Sequence, residues 1–121
     1  MTPRMSIDVE PGRDLVRITL AGFFTPADVT RFVAERDAAH NRLRCGPNQH
    51  LTLVDMRAMH IQSQDSVDAF QRVLGDPRTV SRRLAFVVAR SLSRLQIKRA
   101  AANREAAYFT EIDEAEAWLL A

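Results

Sequence analysis

The residues of this chain whose types could support chemistry are concentrated in one short segment. Asp55 ends a stretch, Leu51 to Asp55, that has the composition of a strand, and His60, Ser63 and Ser66 follow it closely. A carboxylate, an imidazole and hydroxyl groups are the side chains that act in general acid–base and nucleophilic catalysis. A catalytic triad is defined by geometry, so these residues make an enzyme one hypothesis without forming a recognisable catalytic constellation. The alternative for Asp55 is that it caps the turn that begins there.

The histidines and the cysteine do not have the spacing of a metal site. His40, His50 and His60 include no pair at i and i+4 and have no neighbouring cysteine, so we expect exposed polar side chains. Cys45 is the only cysteine and lies in a polar stretch, residues 41–49, without an evident activating partner. We therefore predict no metal and no cofactor. A lone thiol is typical of a reducing compartment.

Charge is unevenly distributed along the chain. The net charge is +2, but residues 72–104 hold nine basic residues against Asp76 alone, which gives +8, and residues 105–121 hold five acidic residues and no base, which gives −5. Arg90, Arg94 and Lys98 are spaced to line one helix face and form a candidate anion-binding patch. The alternative is that the acidic last helix packs beside the basic third helix and compensates its charge. Without a glycine-rich phosphate loop or a pair of RNA-stacking aromatic residues, a nucleic acid is not the expected partner.

The elements that would position these residues begin with a hairpin. The segment Met5 to Glu10 alternates apolar and polar residues, a period of two that predicts a strand with one buried face. Pro11 and Gly12 then turn the chain. The segment Leu15 to Ala21 alternates in the same way, which predicts an antiparallel partner for the first strand.

Four helices and three more strands are predicted to follow in alternation. The run Leu84 to Ala89 is apolar throughout, which indicates a central strand covered on both faces. The order ββαβαβαβα, with long crossovers after the hairpin, predicts an α/β fold with a mixed, mainly parallel sheet. The first helix is expected from Pro26 to about Arg42, with Thr25 as its N-cap, and the second is expected to be capped by Ser63 or Ser66 and to stop at Gly75. The third is expected from about Leu92 to Asn103, and the last is expected to be capped by Thr110. The other two strands are expected at Leu51 to Asp55 and at Ala106 to Phe109. The aromatic residues expected in the core are Phe32, Phe70, Phe86, Phe109 and Trp118.

Composition and length indicate a globular protein. The chain has 121 residues, of which 46% are hydrophobic and 26% charged, and we expect residues 1–121 to form a single domain. The segment Met1 to Glu10 lacks the apolar run of a signal peptide, and no later segment approaches the roughly 20 apolar residues that span a bilayer. A cytoplasmic protein without a transmembrane segment is therefore predicted.

Two stretches of the chain resemble a known group of proteins: Leu15 to Asp28 (LVRITLAGFFTPAD) and Tyr108 to Leu119 (YFTEIDEAEAWL). They are similar to the opening and the ending of small bacterial proteins described as STAS/SEC14-like, which belong to the SpoIIAA-like, STAS domain superfamily. The resemblance implies a SpoIIAA-like (STAS) fold with an N-terminal β-hairpin and four helices. STAS anti-sigma-antagonist proteins are phosphorylated on a serine in an Asp-Ser-Ser-Gly-like turn after the third strand. The matching segment here is Asp55 to His60 (DMRAMH), and the next serine is Ser63. The resemblance therefore implies the fold without supplying a phosphorylation site.

Together these observations favour a non-enzymatic binding or regulatory module whose partner is a protein. Phe23 and Phe24 are adjacent, so in an extended chain one of them is expected at a pocket or an interface. The alternative, suggested by the SEC14-like resemblance and by the apolar residues near one sheet end, is a protein that binds a small apolar or lipid-like ligand. A homodimer is compatible with both. The candidate ligand or partner site comprises Phe23, Phe24, Asp55, Met56, Arg57, His60, Ser63 and Ser66, with Met59 added for an apolar ligand.

Overall fold

The computed structural model of the chain describes residues 2–89, 92–102 and 105–121, with side chains in the second range from Leu95 onward. Within these ranges five strands form one sheet in the order β1-β2-β3-β4-β5, in which β1 is antiparallel to β2 and the other neighbours are parallel. The predicted order ββαβαβαβα and the mixed, mainly parallel sheet are confirmed. The elements are β1 (Arg4–Glu10), β2 (Leu15–Gly22), α1 (Pro26–His40), β3 (Leu51–Met59), α2 (Gln64–Leu74), β4 (Arg83–Val87), α3 (Leu92–Ala100), β5 (Ala107–Phe109) and α4 (Ile112–Leu120).

Strands β1 and β2 form the predicted hairpin. Their register runs without a shift from Arg4 opposite Ala21 to Glu10 opposite Leu15. A short 3₁₀ turn, Pro11–Arg13, joins them and ends at Asp14, whose φ of 54° is left-handed. Aspartate tolerates this conformation better than most residues, so the chain reverses without a glycine at that position.

The first two helices begin as their capping residues predict. The side-chain oxygen of Thr25 accepts a hydrogen bond from the amide of Asp28 at 3.2 Å, and the Asp28 carboxylate accepts one from the amide of Thr25 at 2.9 Å. This reciprocal pair satisfies two amides that the first turn of α1 leaves without partners. The Ser63 hydroxyl caps α2 by accepting a single hydrogen bond from the amide of Ser66, and Gly75 follows the last residue of the helix.

The prediction that Thr110 caps the last helix is wrong. Helix α4 begins at Ile112, so the capping position belongs to Glu111, whose side chain makes no capping hydrogen bond. Thr110 follows the end of β5 directly and lies in the bend between the two elements. Its hydroxyl is one residue too early in the chain to reach the first helical amides.

Strand β3 continues four residues beyond its predicted end at Asp55 and reaches Met59. The register with β2 shifts on the way, because Thr19 lies opposite Asp55 and Ala21 opposite Ala58. Two residues of β3 therefore face one residue of β2, which is a β-bulge. The placement of Asp55 at a strand end is thus wrong with respect to β2, although the pairing of β3 with β4 does end there, at Asp55 and Val87.

The apolar run that begins at Leu84 forms an interior strand, as predicted. Strand β4 spans Arg83–Val87, is flanked by β3 and β5, and is buried on both faces from Leu84 onward. The middle of the five strands is β3, however, so the strand predicted to be central at Leu84 to Ala89 lies one position from the centre and ends at Val87. Strand β5 adds one short edge beyond it.

The helices are divided unequally between the two faces of the sheet. Helices α1, α2 and α3 share one buried apolar cluster with residues such as Ile18, Phe70 and Phe86, whereas α4 packs on the opposite face against β3, β4 and β5. The prediction that α4 compensates the charge of α3 by packing beside it is therefore wrong. The right-handed crossovers β2-α1-β3, β3-α2-β4 and β4-α3-β5 place α1, α2 and α3 on one face, and α4, which follows the last strand, covers the other.

The core aromatic residues follow the same division. Phe32, Phe70 and Phe86 are buried in the cluster beneath α1, α2 and α3, as predicted. Phe109 and Trp118 pack only partly buried against the smaller cluster beneath α4. The buried core on the α4 face of the sheet is accordingly the smaller one.

Candidate functional site

The carboxyl ends of β2 and β3 form the candidate site, because the chain leaves the sheet there toward α1 and α2. Gly22, the last residue of β2, has a φ of 87°, and a Cβ atom at this position would lie 2.8 Å from the carbonyl oxygen of Thr2. Its own carbonyl accepts a hydrogen bond from the amide of His60 at 3.0 Å. Glycine is therefore required here for both its conformation and its size, and the two strand ends stay joined beyond the sheet.

Gln62 is a buried polar side chain that ties this end of the sheet together. Its Oε1 accepts a hydrogen bond from the amide of Phe24 at 2.8 Å, and its Nε2 donates to the carbonyl oxygens of Gly22 and His60. Its backbone amide donates to Oε1 of Gln96 at 2.6 Å, and its carbonyl accepts from Nε2 of Gln96 at 2.8 Å. The residue is only 8% exposed. The β3–α2 loop is consequently fixed both to the β2–α1 loop and to α3.

The two candidate serines have different environments at the start of α2. Ser63 is exposed and caps the helix, and its hydroxyl also donates to the Ser66 hydroxyl at 3.0 Å. Ser66 is fully buried and donates its own hydroxyl proton to the carbonyl oxygen of Phe24. Ser63 is therefore accessible to a partner, whereas Ser66 has a structural role.

An apolar cavity of about 70 Å³ lies between the sheet and helices α2 and α3. Met56 and Met59 both reach it although they are three residues apart, because the bulge in β3 inserts the extra residue between them. Their flexible side chains adapt easily to irregular space. Among the described lining residues, the polar ones are His60, Gln62 and Gln96.

Asp55 and Arg57 form an ion pair on the other face of the sheet. Leu51 and Leu53 of the same strand belong to the cluster beneath α4, so the alternation of β3 directs Asp55 to that face. The guanidinium of Arg57 meets the carboxylate through Nε at 3.0 Å and Nη2 at 2.9 Å, and the amide of Arg57 adds a bond of 3.1 Å. Burial alone would raise the pKa of Asp55, but these hydrogen bonds outweigh burial and lower the pKa below its usual value.

The residues of the enzyme hypothesis are therefore not brought together. His60 lines the apolar cavity, whereas Asp55 pairs with Arg57 across the sheet from it. The interpretation of Asp55 as a cap agrees with the bond from the amide two residues on, that of Arg57, but no turn begins there because β3 continues to Met59.

Phe23 and Phe24 divide as their adjacency predicts. Phe24 is fully buried, and its ring meets that of Phe70 edge-on at 5.8 Å between ring centres. Phe23 is half-buried at the start of the β2–α1 loop. Neither ring lines the apolar cavity, although Phe24 contacts two residues that do, Phe70 and Gln62.

The prediction of three exposed histidines holds for His60 and is wrong for His50, which is 4% exposed, and for His40, which is half-buried. The rings of His40 and His50 meet at 4.5 Å between centres, tilted by 54° to each other, near the amino end of β3. Burial, followed by the charge of Arg36, lowers the pKa of His40 below its usual 6.5. A helix end and a strand start that lie far apart in sequence thus meet in space, which spacing alone does not reveal.

Cys45 and the acidic residues do not assemble a metal site within the described ranges, where no group of three or more His, Cys, Asp or Glu side chains is close enough to hold an ion. Partial burial, followed by the nearby Asp14 carboxylate, raises the pKa of the Cys45 thiol. A thiol with a raised pKa is a poor nucleophile at neutral pH.

The candidate anion-binding patch is described only in part. Arg90 and the side chain of Arg94 lie outside the described residues, as does Asn103 at the predicted end of the third helix. Lys98 is exposed, and its ammonium group lies 5.3 Å from the centre of the Tyr108 ring. Among the other basic residues, Arg78 pairs with Asp76 at 3.0 Å and Arg83 donates to the carbonyl oxygen of Trp118 at 2.8 Å.

Gln62 and Gln96 are the residues of this site that sequence reasoning missed. Gln62 reaches partners 34 to 40 positions away in the chain, and no local pattern encodes such a contact. The one available signal is that a polar residue stands between the apolar Ile61 and the helix cap Ser63.

Two solved structures resemble this chain over nearly its whole length. One is an uncharacterized protein of the DUF3478 family with a SpoIIAA-like fold from Shewanella loihica PV-4, with a TM-score of 0.74 and 15% identity over 98% of this chain and 96% of that chain. The other is an anti-sigma factor antagonist from Mycobacterium paratuberculosis, with a TM-score of 0.64 and 10% identity over 98% of this chain and 94% of that chain. No protein-family model and no curated protein matches the sequence.

At these identities the likeness concerns the fold, and the SpoIIAA-like fold expected from the sequence is confirmed. In the described part of the chain, none of the helices has the length and apolar character needed to cross a membrane.

Proposed function

We propose that this chain is a non-enzymatic, protein-binding regulatory module that contacts its partner through the β3–α2 loop and the first turn of α2. The observation that supports this most directly is the contrast within the loop. Gln62 is buried and hydrogen-bonded to three segments, while Ile61 before it and Ser63 after it are exposed. A loop that is already fixed loses less conformational entropy when a partner binds.

The chemistry of this surface suits a protein partner. Ile61 is 53% exposed and offers an apolar anchor, and the polar residues Ser63, Gln64 and Asp65, which follow it closely in the chain, are exposed as well. An apolar centre with a polar rim is the usual composition of a protein–protein contact. The structural neighbour that is named an anti-sigma factor antagonist acts on a protein, which supports the same class of partner for this chain.

Ser63 is the position where added charge would influence such a contact most. It is exposed and caps α2, whose N-terminus carries partial positive charge, so a negative group there is stabilised by the helix. Ser66, by contrast, is fully buried beneath the loop. Charge introduced at Ser63 would therefore change the partner surface without breaking the core.

The test is affinity enrichment from the organism that encodes the protein, followed by quantitative mass spectrometry. Ile61→Asp should reduce recovery of the specific partner at least about tenfold, since hot-spot side chains contribute about 2 kcal/mol or more. The matched control is Leu95→Asp, because Leu95 is 57% exposed on α3 and receives the same change. Equal recovery with both variants would contradict the proposal, as would turnover of a substrate by purified protein in the absence of any specific partner.

The contribution of charge is tested separately at Ser63. Asn and Asp are both good helix caps, so Ser63→Asn and Ser63→Asp preserve α2 and differ only in charge. Partner affinity should change with Ser63→Asp and stay close to wild type with Ser63→Asn. The same response to both substitutions would show that the charge at this position does not matter.

A second candidate function is the binding of a small apolar ligand, which the cavity beside Met56 and Met59 favours. At about 70 Å³ it is smaller than the roughly 300–1,000 Å³ of typical ligand pockets, so a larger ligand would have to displace the methionine side chains. Native mass spectrometry of protein purified from its own organism should then show a bound mass. The mass should disappear in Ala100→Leu, which fills the cavity. Protein without any bound mass would contradict this function.

A further inference from the structure

The two edges of the sheet differ in length and in protection. Within the described chain β5 ends one edge with three residues, whereas β1 ends the other with seven residues, Arg4–Glu10, and pairs on one side only. Strand β1 contains no proline, and its register with β2 has no bulge. Sheet edges that must stay unpaired are commonly short, kinked or interrupted by proline. The β1 edge has none of these three features.

The sequence of β1 is complementary to itself in the antiparallel direction. A twofold axis through Ile7 places opposite charges against each other at both ends, apolar residues against apolar residues, and a serine hydroxyl against a carboxylate. Opposed cross-strand pairs of this kind stabilise a sheet. The pairs are Arg4 with Glu10, Met5 with Val9, Ser6 with Asp8, and Ile7 with Ile7. We propose that two copies of this chain associate through antiparallel pairing of their β1 edges in this register.

Other registers are less favourable. An axis through Ser6 leaves Glu10 opposite Thr2, beyond the strand, and an axis through Asp8 places two like charges against each other. A shift of the pairing by a single position would place the apolar residues of one β1 strand opposite the polar residues of the other. The half-buried apolar face, which packs against the core, would then continue into the exposed polar face of the second copy. The register centred on Ile7 is the one that pairs the whole strand.

The side chains are disposed for this pairing. Arg4 is exposed, and the side chain of Glu10 remains 37% exposed although it already binds Arg17. A carboxylate accepts several hydrogen bonds, so Glu10 can take a second guanidinium from the other copy. Met5, Ile7 and Val9 pack against the main apolar cluster but stay partly exposed, and a second copy would cover them further.

A β1-paired dimer would also determine how the proposed partner surfaces are arranged, although the dimer itself does not depend on the proposed function. Antiparallel pairing of β1 would join the two sheets into one and direct the carboxyl ends of their parallel strands in opposite directions. The two β3–α2 loops would then lie at opposite ends of the dimer. Such a dimer would bind two partners without contact between them.

The test is the oligomeric state of the full chain by light scattering and sedimentation from about 1 µM to 1 mM. Wild type should reach twice the monomer mass of 13.7 kDa. Arg4→Glu places two carboxylates against each other at both ends of the paired strands, and Glu10→Arg places two guanidinium groups there. Each variant alone should therefore dimerise at least about tenfold more weakly.

Two further samples make this test specific to the β1 register. An equimolar mixture of Arg4→Glu and Glu10→Arg restores an attractive pair at each end and should form a heterodimer at wild-type concentrations. Arg44→Glu, an equal charge change at an exposed loop residue, is the control and should dimerise as wild type does.

Several results would overturn the proposal: a wild type that is monomeric throughout the range, a dimer that Arg4→Glu does not weaken, or a mixture that stays monomeric while both variants are folded by circular dichroism. Glu10→Arg also removes the pair with Arg17 and can affect folding. Hydrogen exchange of the wild type gives an independent answer in that case. Amides of residues 4–10 should become more protected as concentration rises, and unchanged protection would exclude β1 as the interface.

Discussion

The two faces of the sheet are stabilised by different means. Of the described residues, eighteen form the buried cluster beneath α1, α2 and α3, and seven form the cluster beneath α4, so the first face contains most of the core. The smaller cluster is supplemented by ion pairs at its rim, where Glu116 of α4 binds Arg13 at 2.9 Å and Arg17 at 2.8 Å. Arg83 adds a contact over the Trp118 ring, 5.5 Å from its centre.

This difference between the two faces bears on which of them supports the proposed partner surface. The three-helix face holds both the apolar core and the loop that Gln62 fixes, so the proposed partner surface is supported by the most stable part of the molecule. The α4 face depends more on exposed charges, which contribute little each. Substitutions on the two faces should therefore differ in magnitude and in their dependence on pH.

The largest difference is expected between two aromatic residues. Phe24→Ala should lower the free energy of unfolding by about 3–5 kcal/mol, because Phe24 is fully buried against Phe70. Trp118→Ala should cost about 1–3 kcal/mol, since Trp118 is only partly buried beneath α4. Urea denaturation measures both, and Phe24→Leu replaces Phe24→Ala if the latter does not fold. Equal losses would mean that the two faces contribute alike.

A smaller effect is expected at Gln62. Gln62→Leu leaves the amide of Phe24 and the carbonyls of Gly22 and His60 without their partner, which should cost about 2–4 kcal/mol. Gln64→Leu, at an exposed position two residues later, should change the free energy of unfolding by less than about 0.5 kcal/mol. Hydrogen exchange should also show faster opening of the β3–α2 loop in Gln62→Leu alone. A loop that remains protected would remove the basis for a preformed partner surface.

On the α4 face, Glu116→Gln should cost less than about 1 kcal/mol, because its partners Arg13 and Arg17 are partly exposed. The Arg17 hydrogen bond is the main reason that the pKa of Glu116 lies below its usual value. A carboxyl group with a lowered pKa stabilises the folded state at neutral pH, and this stabilisation is lost as pH falls through the lowered value. The difference between wild type and Glu116→Gln should therefore shrink in acid. A difference that stays constant with pH would show that the ion pairs are not its cause.

The smallest effect concerns His40. Its pKa is lowered by burial, so the folded state binds a proton less readily than the unfolded state. Stability is complete above the usual pKa of 6.5 and should fall by less than about 1 kcal/mol as pH decreases through the lowered value. Titration of the free energy of unfolding between pH 7 and pH 5 measures this slope, which His40→Asn should reduce. An unchanged slope in the variant would assign the pH dependence to other groups.

Local features of this fold were predictable because residues near each other in sequence encode them. The alternation in Met5 to Glu10, the Thr25 cap with Asp28 three residues later, and the apolar run at Leu84 each determine an element through contacts within a few positions. The failures arose where neighbours in space are distant in sequence. Strand β3 continues past Asp55 because β2 offers it a backbone partner as far as Gly22, although alternation in β3 ceases at the bulge.

The candidate site shows the same limit more strongly. Of its predicted residues, Ser63, His60 and Met56 do lie near the β3–α2 loop or its cavity, whereas Asp55 and Arg57 point to the opposite face. One bulge and the alternation of a strand decide that separation, and neither can be derived from residue types alone.

The sequence by itself determined which segments become helices and strands, their order, and the complementary charges along β1, because these depend on local periodicity and composition. Only the tertiary structure decided that α3 and α4 lie on opposite faces, that His50 is buried against His40, and that Gln62 joins three segments. Those features depend on contacts between residues tens of positions apart, and such contacts exist only after the chain has packed.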